Sequence, residues 1–151
     1  KSPDTPQTPR HRPANAARWL SLLDRAKNYP ALLRQYPALG QGIEHTTPAI
    51  TSTDAALAVT IGEVFRFADE DALVFRLRLE NRTRGPLHYA VSELGIRAGE
   101  EIYPAAITDA GGEIPARATE QVWLAIVGEP DGRRANLSLG NAFTPVWSVL
   151  P

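Results

Sequence analysis

The fold of this chain is decided by the sequence LVFRLRLE at residues 73–80. Apolar side chains occupy its odd-numbered positions, and charged side chains follow at even-numbered positions, as in Arg76 and Arg78. Such alternation is typical of a β-strand that buries one face and exposes the other. The strand is predicted to bury four side chains: Leu73, Phe75, Leu77 and Leu79.

The period of two extends on both sides of this strand. Upstream, with Gly62-Glu63 as a bend or bulge, five apolar residues share one parity: Leu57, Val59, Ile61, Phe65 and Phe67. Downstream, turn residues separate further apolar segments: 87–91, 94–96, 102–107, 121–127, 137–139 and 143–149. Seven or eight strands without a helix-length pattern between them predict an all-β fold, an antiparallel β-sandwich, and exclude a parallel α/β sheet.

The N-terminal third of the chain does not follow this pattern. Residues 1–14 contain four prolines among polar residues, which is typical of a disordered tether. Residues 15–40 are predicted to form a helical arm, and residues 41–54, rich in Thr and Pro, a linker. The sandwich domain is then expected to occupy residues 55–151.

The predicted arm consists of two short helices that break at Asn28-Tyr29-Pro30, and each has one apolar face. After Asn15, a suitable N-cap, the residues Trp19, Leu22, Leu23 and Ala26 recur at helical spacing. Helices this short are marginal in water without packing. We therefore expect the arm to dock on its own sandwich, with Trp19 covering part of it, while docking on a second copy or on a partner stays open.

The net charge of −1 conceals an asymmetry. Residues 1–38 hold seven basic and two acidic side chains, whereas residues 39–151 hold nine basic and fifteen acidic ones. This favours docking of the basic arm on the acidic body. An acidic body repels phosphate, so the composition indicates that nucleic acid is not a partner.

Composition also bears on the location of the protein. The chain has no Cys and no Met, and it begins at Lys1, so we expect that an upstream segment was removed. The abundance of Arg, Ala and Pro suggests a bacterial genome. A periplasmic, cell-envelope or secreted location is expected. The chain contains no apolar run of membrane-spanning length.

Residues suited to catalysis are scattered along the sequence. His11, His45 and His88 do not have the spacing of a metal pair, and no Ser stands in a G-x-S-x-G elbow. The acidic run at 69–71 is typical of a hairpin turn, with a calcium site as the alternative, and Glu100-Glu101 is also typical of a turn. The sequence therefore predicts no catalytic residue, no metal ligand and no cofactor, and it does not indicate an enzyme.

Aromatic and apolar residues are the remaining candidates for contact with a partner. Trp123 has the parity opposite to its apolar neighbours on the strand at 121–127, so one of the two sets faces outward. An outward-facing Trp123 is expected to contact either a partner or the helical arm. Partner contacts are predicted at five residues: Trp19, Leu23, Tyr89, Tyr103 and Trp123.

Residues 71–105 read DALVFRLRLENRTRGPLHYAVSELGIRAGEEIYPA. An apolar strand, an Asn-centred turn, an x-Y-x-V strand and an Ile-rich strand follow one another. The stretch resembles the immunoglobulin-like C-terminal domains of envelope subunits in bacterial conjugation and type IV secretion machines. The resemblance implies an immunoglobulin-like sandwich that docks to other subunits, and it supplies no catalytic residue.

These observations predict a non-catalytic interaction or assembly domain of the bacterial envelope or surface. Its partners would be other envelope or surface proteins, contacted through sheet edges, the arm or both, and the same contacts allow an oligomer. The alternative is a module that binds carbohydrate or another surface ligand through loops and exposed aromatic residues.

Overall fold

A computed structural model describes the backbone of residues 7–35, 37–40, 42–128 and 137–151, and the side chains of these residues except 7–16, 32–33 and 39–40. The helical elements are α1 Gln7–Lys27, α2 Tyr29–Gln35 and short 3-10 helices at Pro37–Gly40 and Val91–Glu93. The strands are β1 Ile43–Thr46, β2 Ile50–Thr53, β3 Leu57–Phe67, β4 Ala72–Asn81, β5 Leu87–His88, β6 Gly95–Ala98, β7 Glu101–Pro104, β8 Ile107–Thr108, β9 Glu113–Ile114, β10 Thr119–Val127 and β11 Phe143–Val146.

The strands form antiparallel sheets. The larger sheet has the order β1-β3-β4-β10-β8, with β2 lying beside β1 on the same edge of β3. The smaller sheet has the order β11-β6-β7, and β5 pairs with β9. Their buried side chains meet in one apolar core, which makes the structure sandwich-like. The predicted all-β, antiparallel, sandwich-like class with an N-terminal helix is confirmed.

The number and limits of the elements differ from the prediction. The described part of the chain contains eleven strands where seven or eight were expected. The proposed linker is wrong, because β1 and β2 pair with the two halves of β3. Both are short edge strands made mostly of polar residues, so they lack the alternation that marks a half-buried strand. The segment 137–139 is not a strand.

The N-terminal boundary also differs. Helix α1 begins at Gln7, so the tether predicted for residues 1–14 is wrong for residues 7–14, and Asn15 lies inside the helix. Residues 1–6 of the predicted tether lie outside the described residues.

A bulge in β3 moves the odd-numbered side chains from one face of the sheet to the other. The pairing of β3 with β4 shifts register between Ile61 and Glu63. Before the shift, Ile61 points into the core between the sheets, and after it Val64 points there while Phe65 and Phe67 join a second cluster. Of the bend and the bulge that the sequence left open at Gly62-Glu63, the structure has the bulge, so Phe65 and Phe67 face away from Ile61 although they share its parity. One extra residue in a bulged strand moves each later side chain to the other face.

The arm covers the outer face of the larger sheet. Leu22, Leu23 and Ala26 are buried in the second cluster, which includes Phe67 and Trp123 from the sheet. Two ion pairs flank this contact: Arg25 with Glu70 at 3.0 Å, and Lys27 with Asp109 at 3.2 Å. The arm therefore docks on its own sheet.

The alternation predicted for β4 holds in its second half, whereas Val74 is buried on the other face and Arg76, expected to be exposed, is half-buried. Leu77 is fully buried between the sheets, and Arg78 is exposed. We expect Leu77→Ala to lower the free energy of unfolding by about 2–5 kcal/mol, as is usual for truncation of a large core residue. Arg78→Ala is the control and should change it by roughly 0.5 kcal/mol or less. Urea unfolding would measure both, and equal losses would contradict the assignment of the two faces.

Two leucines of α1 allow a matched test of docking. Leu23 is buried against the sheet, whereas Leu20 is 50% exposed. Leu23→Asp should lower the melting temperature sharply and promote association, because it places a charge in an apolar contact and uncovers the sheet. Leu20→Asp should have little effect on the melting temperature. A Leu23→Asp protein that melts like the parent and stays monomeric would argue against docking of the arm.

Candidate partner-binding groove

Three of the five predicted partner-contact residues are buried within the chain. Leu23 and Trp123 lie in the contact between α1 and the sheet, and Tyr89 lies in the core between the sheets. They are not accessible to a partner, so these predictions are corrected. Trp123 faces the arm, which was one of the two alternatives for an outward-facing tryptophan.

Tyr89 has a structural role. Its hydroxyl donates a hydrogen bond to Glu120 Oε1 at 2.8 Å, and its backbone N–H donates to the carbonyl of Gly112. Burial, together with the hydrogen bond to Glu120 and the charge of its carboxylate, raises the pKa of the Tyr89 hydroxyl above its ordinary range. The hydroxyl therefore stays neutral, and its hydrogen bond connects the residue that follows β5 to β10.

The other two residues, Trp19 and Tyr103, meet in one groove. It has a volume of about 330 Å³ and is lined by Trp19, residues 101–106, Val127 and Gly128. Both aromatic side chains are partly buried, and most of the lining is apolar. A groove of this size accepts a large side chain or a small ligand.

The groove forms where the chain passes from one sheet to the other. The N–H of Ala105 donates to the carbonyl of Leu94, next to the smaller sheet, and the N–H of Ala106 donates to the carbonyl of Ala125 in β10. The two sheets thus separate at this edge. Helix α1 places Trp19 over the gap, one turn before the docked residue Leu23.

The position of β7 depends on Gly95. A Cβ atom at this position would lie 2.5 Å from the carbonyl oxygen of Tyr103 and 3.0 Å from the Cα of Pro104. Both are backbone atoms and cannot move aside without displacing β7. The absence of a side chain at Gly95 therefore lets β7 approach β6 closely and sets one wall of the groove.

Two apolar side chains in or near the groove are exposed to solvent. Ile102 is 54% exposed and forms part of its lining. Leu20 is 50% exposed and lies on the same flank of α1 as Lys27, because seven residues make nearly two helical turns. Lys27 pairs with Asp109, just after β8, so this flank faces the edge where the groove opens. Neither residue was predicted as a partner contact, because the sequence indicated only that Ile102 lies on a strand and that Leu20 lies in the helical arm.

The three carboxylates at 69–71 lie in three different environments. Asp69 is exposed, and Glu70 pairs with Arg25. Asp71 is buried, and its Oδ1 accepts a hydrogen bond from the N–H of Leu137 at 2.8 Å. Its carbonyl accepts another from the N–H of Gly128 at 2.9 Å, so Asp71 holds together both ends of the segment 128–137. Across the described side chains, no group of three or more His, Asp or Glu residues is arranged to hold a metal ion.

His45 and His88 each contact one carboxylate. His45 Nε2 lies 2.8 Å from Glu63 Oε1 and its ring stacks on Phe65, while His88 lies 3.5 Å from Glu113 in an exposed pair. The side chain of His11 lies outside the described residues. These pairs stand in separate places and do not form a joint site.

Glu63 is held between the side chains of Arg76 and His45. Burial alone would raise the pKa of its carboxyl, but hydrogen bonds from Arg76 and His45 outweigh burial and leave the pKa below its ordinary value of 4.5. A carboxyl whose pKa is depressed in the folded state stabilises the fold above the pKa of the unfolded chain. This contribution is lost as the pH falls through the folded-state pKa.

We therefore expect Glu63→Gln to destabilise the protein at neutral pH, with a difference from the parent that shrinks as the pH falls below about 4.5. Urea unfolding at a series of pH values down to about pH 3 would measure the difference. Glu80→Gln, at an exposed position, controls for the change in net charge. A difference that stays constant over the series would contradict the proposed role of the carboxylate.

Comparisons with known proteins give few relatives. No family model matches the sequence, and no curated protein matches it. A solved structure of a functionally unknown protein from Listeria monocytogenes EGD-e is similar, with a TM-score of 0.46 and 8% identity over 72% of this chain and 87% of that chain. A conserved hypothetical protein from Bacillus anthracis gives a TM-score of 0.48 and 8% identity over 73% of this chain and 98% of that chain. Likeness at this level carries no argument about function.

Within the described residues, no helix is both long and apolar enough to cross a membrane.

Proposed function

We propose that this chain is a non-catalytic interaction domain of the bacterial envelope or surface, with an immunoglobulin-like sandwich, which binds another envelope or surface protein. The observation that supports the proposal is the groove in which Trp19 and Tyr103 meet beside the exposed Ile102. Aromatic and apolar side chains that converge in a groove are the usual anchors of protein recognition. A periplasmic, envelope or secreted location belongs to the same proposal.

A carbohydrate-binding module is the second candidate, because two aromatic rings line the groove. Recognition of a sugar also requires polar side chains that pair with its hydroxyl groups. Among the lining residues, Glu101 is the one charged side chain, and the others are mostly apolar. This composition favours an apolar side chain of a protein partner over a sugar.

Replacement of Ile102 tests the proposal. Ile102→Asp should abolish co-purification of envelope proteins with the domain, because it places a charge in the apolar groove. Leu150→Asp is a matched control, since Leu150 is 47% exposed and does not line the groove. Retention of the same proteins by both variants would contradict the assignment of the groove. Binding to a glycan array that is lost in Ile102→Asp would favour the carbohydrate alternative.

A further inference from the structure

Strand β7 offers the backbone groups of Ile102 to the groove, with no backbone partner for them among the described residues. It is the terminal strand of the smaller sheet and pairs with β6 in the register Ile96↔Tyr103 and Arg97↔Ile102. The N–H of Ala105 donates to the carbonyl of Leu94, which makes these two residues a hydrogen-bonded pair of the antiparallel ladder. Such pairs alternate along a ladder, so Tyr103 exchanges hydrogen bonds with β6. The N–H and carbonyl of Ile102 then point away from β6.

The groove runs along this edge. Side chains that follow one another on a strand point to opposite faces, yet both Ile102 and Tyr103 line the groove. A cavity that touches both faces of a terminal strand lies beside its edge and therefore beside the outward-pointing backbone of Ile102. Hydrogen-bonding groups and an apolar pocket are thus side by side, as in sites that bind a peptide by strand addition.

The charge around the edge is negative. Glu100 and Glu101 are exposed where β7 begins, and Glu93 is exposed before β6. In the stretch 91–110, Arg97 is the one basic residue against four acidic ones, of which Asp109 is paired with Lys27 of the arm. A partner segment that carries positive charge complements this edge, whereas an acidic segment is repelled.

The same residues limit which strands can pair here. Pro104 has no N–H, so a ladder on this edge is short. The charge of Glu101 disfavours pairing with acidic strands and non-specific pairing of the edge with other chains. A short ladder contributes few hydrogen bonds, and recognition then depends on the side chain that enters the groove.

We infer that the groove binds an extended, positively charged segment of the partner protein, which adds as a strand to β7. The segment exchanges hydrogen bonds with the backbone of Ile102, places a large apolar side chain between Trp19 and Tyr103, and brings a Lys or Arg to Glu101. This inference rests on the proposed function, since it names the kind of partner that the groove accepts.

Two labelled peptides test the inference: acetyl-Lys-Val-Lys-Phe-Lys-Val-amide and the same peptide with Glu in place of each Lys. Fluorescence anisotropy with the full chain should show binding of the lysine peptide about tenfold or more tighter than that of the glutamate peptide. Glu101→Lys should abolish or reverse this preference, while Glu113→Lys, which makes the same charge change outside the groove, should retain it. Loss of the preference in both variants would show that net charge alone attracts the peptide, and would overturn the inference.

Amide exchange measured by NMR tests the strand pairing itself. Bound lysine peptide should slow exchange of the Ile102 amide, because this N–H then donates to the peptide. Binding without protection of Ile102, or no binding of either peptide, would overturn strand addition. If Ile102→Asp still abolishes co-purification of envelope proteins in that case, the proposed function stands and only the inference fails. If Ile102→Asp retains those proteins, the proposed function fails as well.

Discussion

The position of the arm and the groove beside it depend on the contact between α1 and the outer face of the larger sheet. This contact depends in turn on the bulge in β3. Without the register shift at Ile61/Glu63, Phe65 and Phe67 would point between the sheets, as Ile61 does. The shift places both rings on the outer face and moves Val64 into the core. The outer face is consequently apolar at the end of the sheet that α1 covers.

Burial of apolar side chains contributes more to this contact than the ion pairs at its border. Burying Leu22 and Leu23 contributes roughly 1.5–3 kcal/mol for each side chain. The pairs of Arg25 with Glu70 and Lys27 with Asp109 are partly exposed to solvent, where such pairs contribute about 0–1 kcal/mol. The charge asymmetry between arm and body therefore orients the helix, and burial of the apolar side chains supplies most of the free energy of docking. The guanidinium of Arg25 also lies 4.8 Å from the centre of the Phe67 ring and so extends the apolar contact.

The sequence predicted those features that repeat with a regular period. Alternation in β4 identified its buried face, and helical spacing identified the face of α1 that docks. A bulge has no such signature, because Gly62-Glu63 is equally compatible with a bend that leaves the parity unchanged. For that reason the faces of Phe65 and Phe67 could not be predicted. Strands β1 and β2 were not predicted, because the sequence of a short, polar edge strand does not differ from that of a linker.

The candidate site was harder to predict than the fold, because it is assembled from distant segments. Trp19 and Tyr103 are 84 residues apart in sequence and meet only because α1 docks where the two sheets separate. Burial excludes Tyr89 and Leu23 although their residue types are typical of interfaces. Ile102 and Tyr103 are both apolar, so alternation could not show which of them faces outward in β7.

The composition of the groove links partner binding to the position of the arm. One wall is Trp19 on α1 and the other is β7, so the groove exists only while the arm is docked. A ligand that contacts both walls binds the docked state and not the undocked one, and it must therefore stabilise docking by the free energy of its own binding. The reverse also holds, because an arm that spends part of its time undocked lowers the apparent affinity of the groove by the same fraction. Contacts that hold α1 on the sheet, such as those of Leu23 in the second cluster, thereby influence binding without touching the ligand.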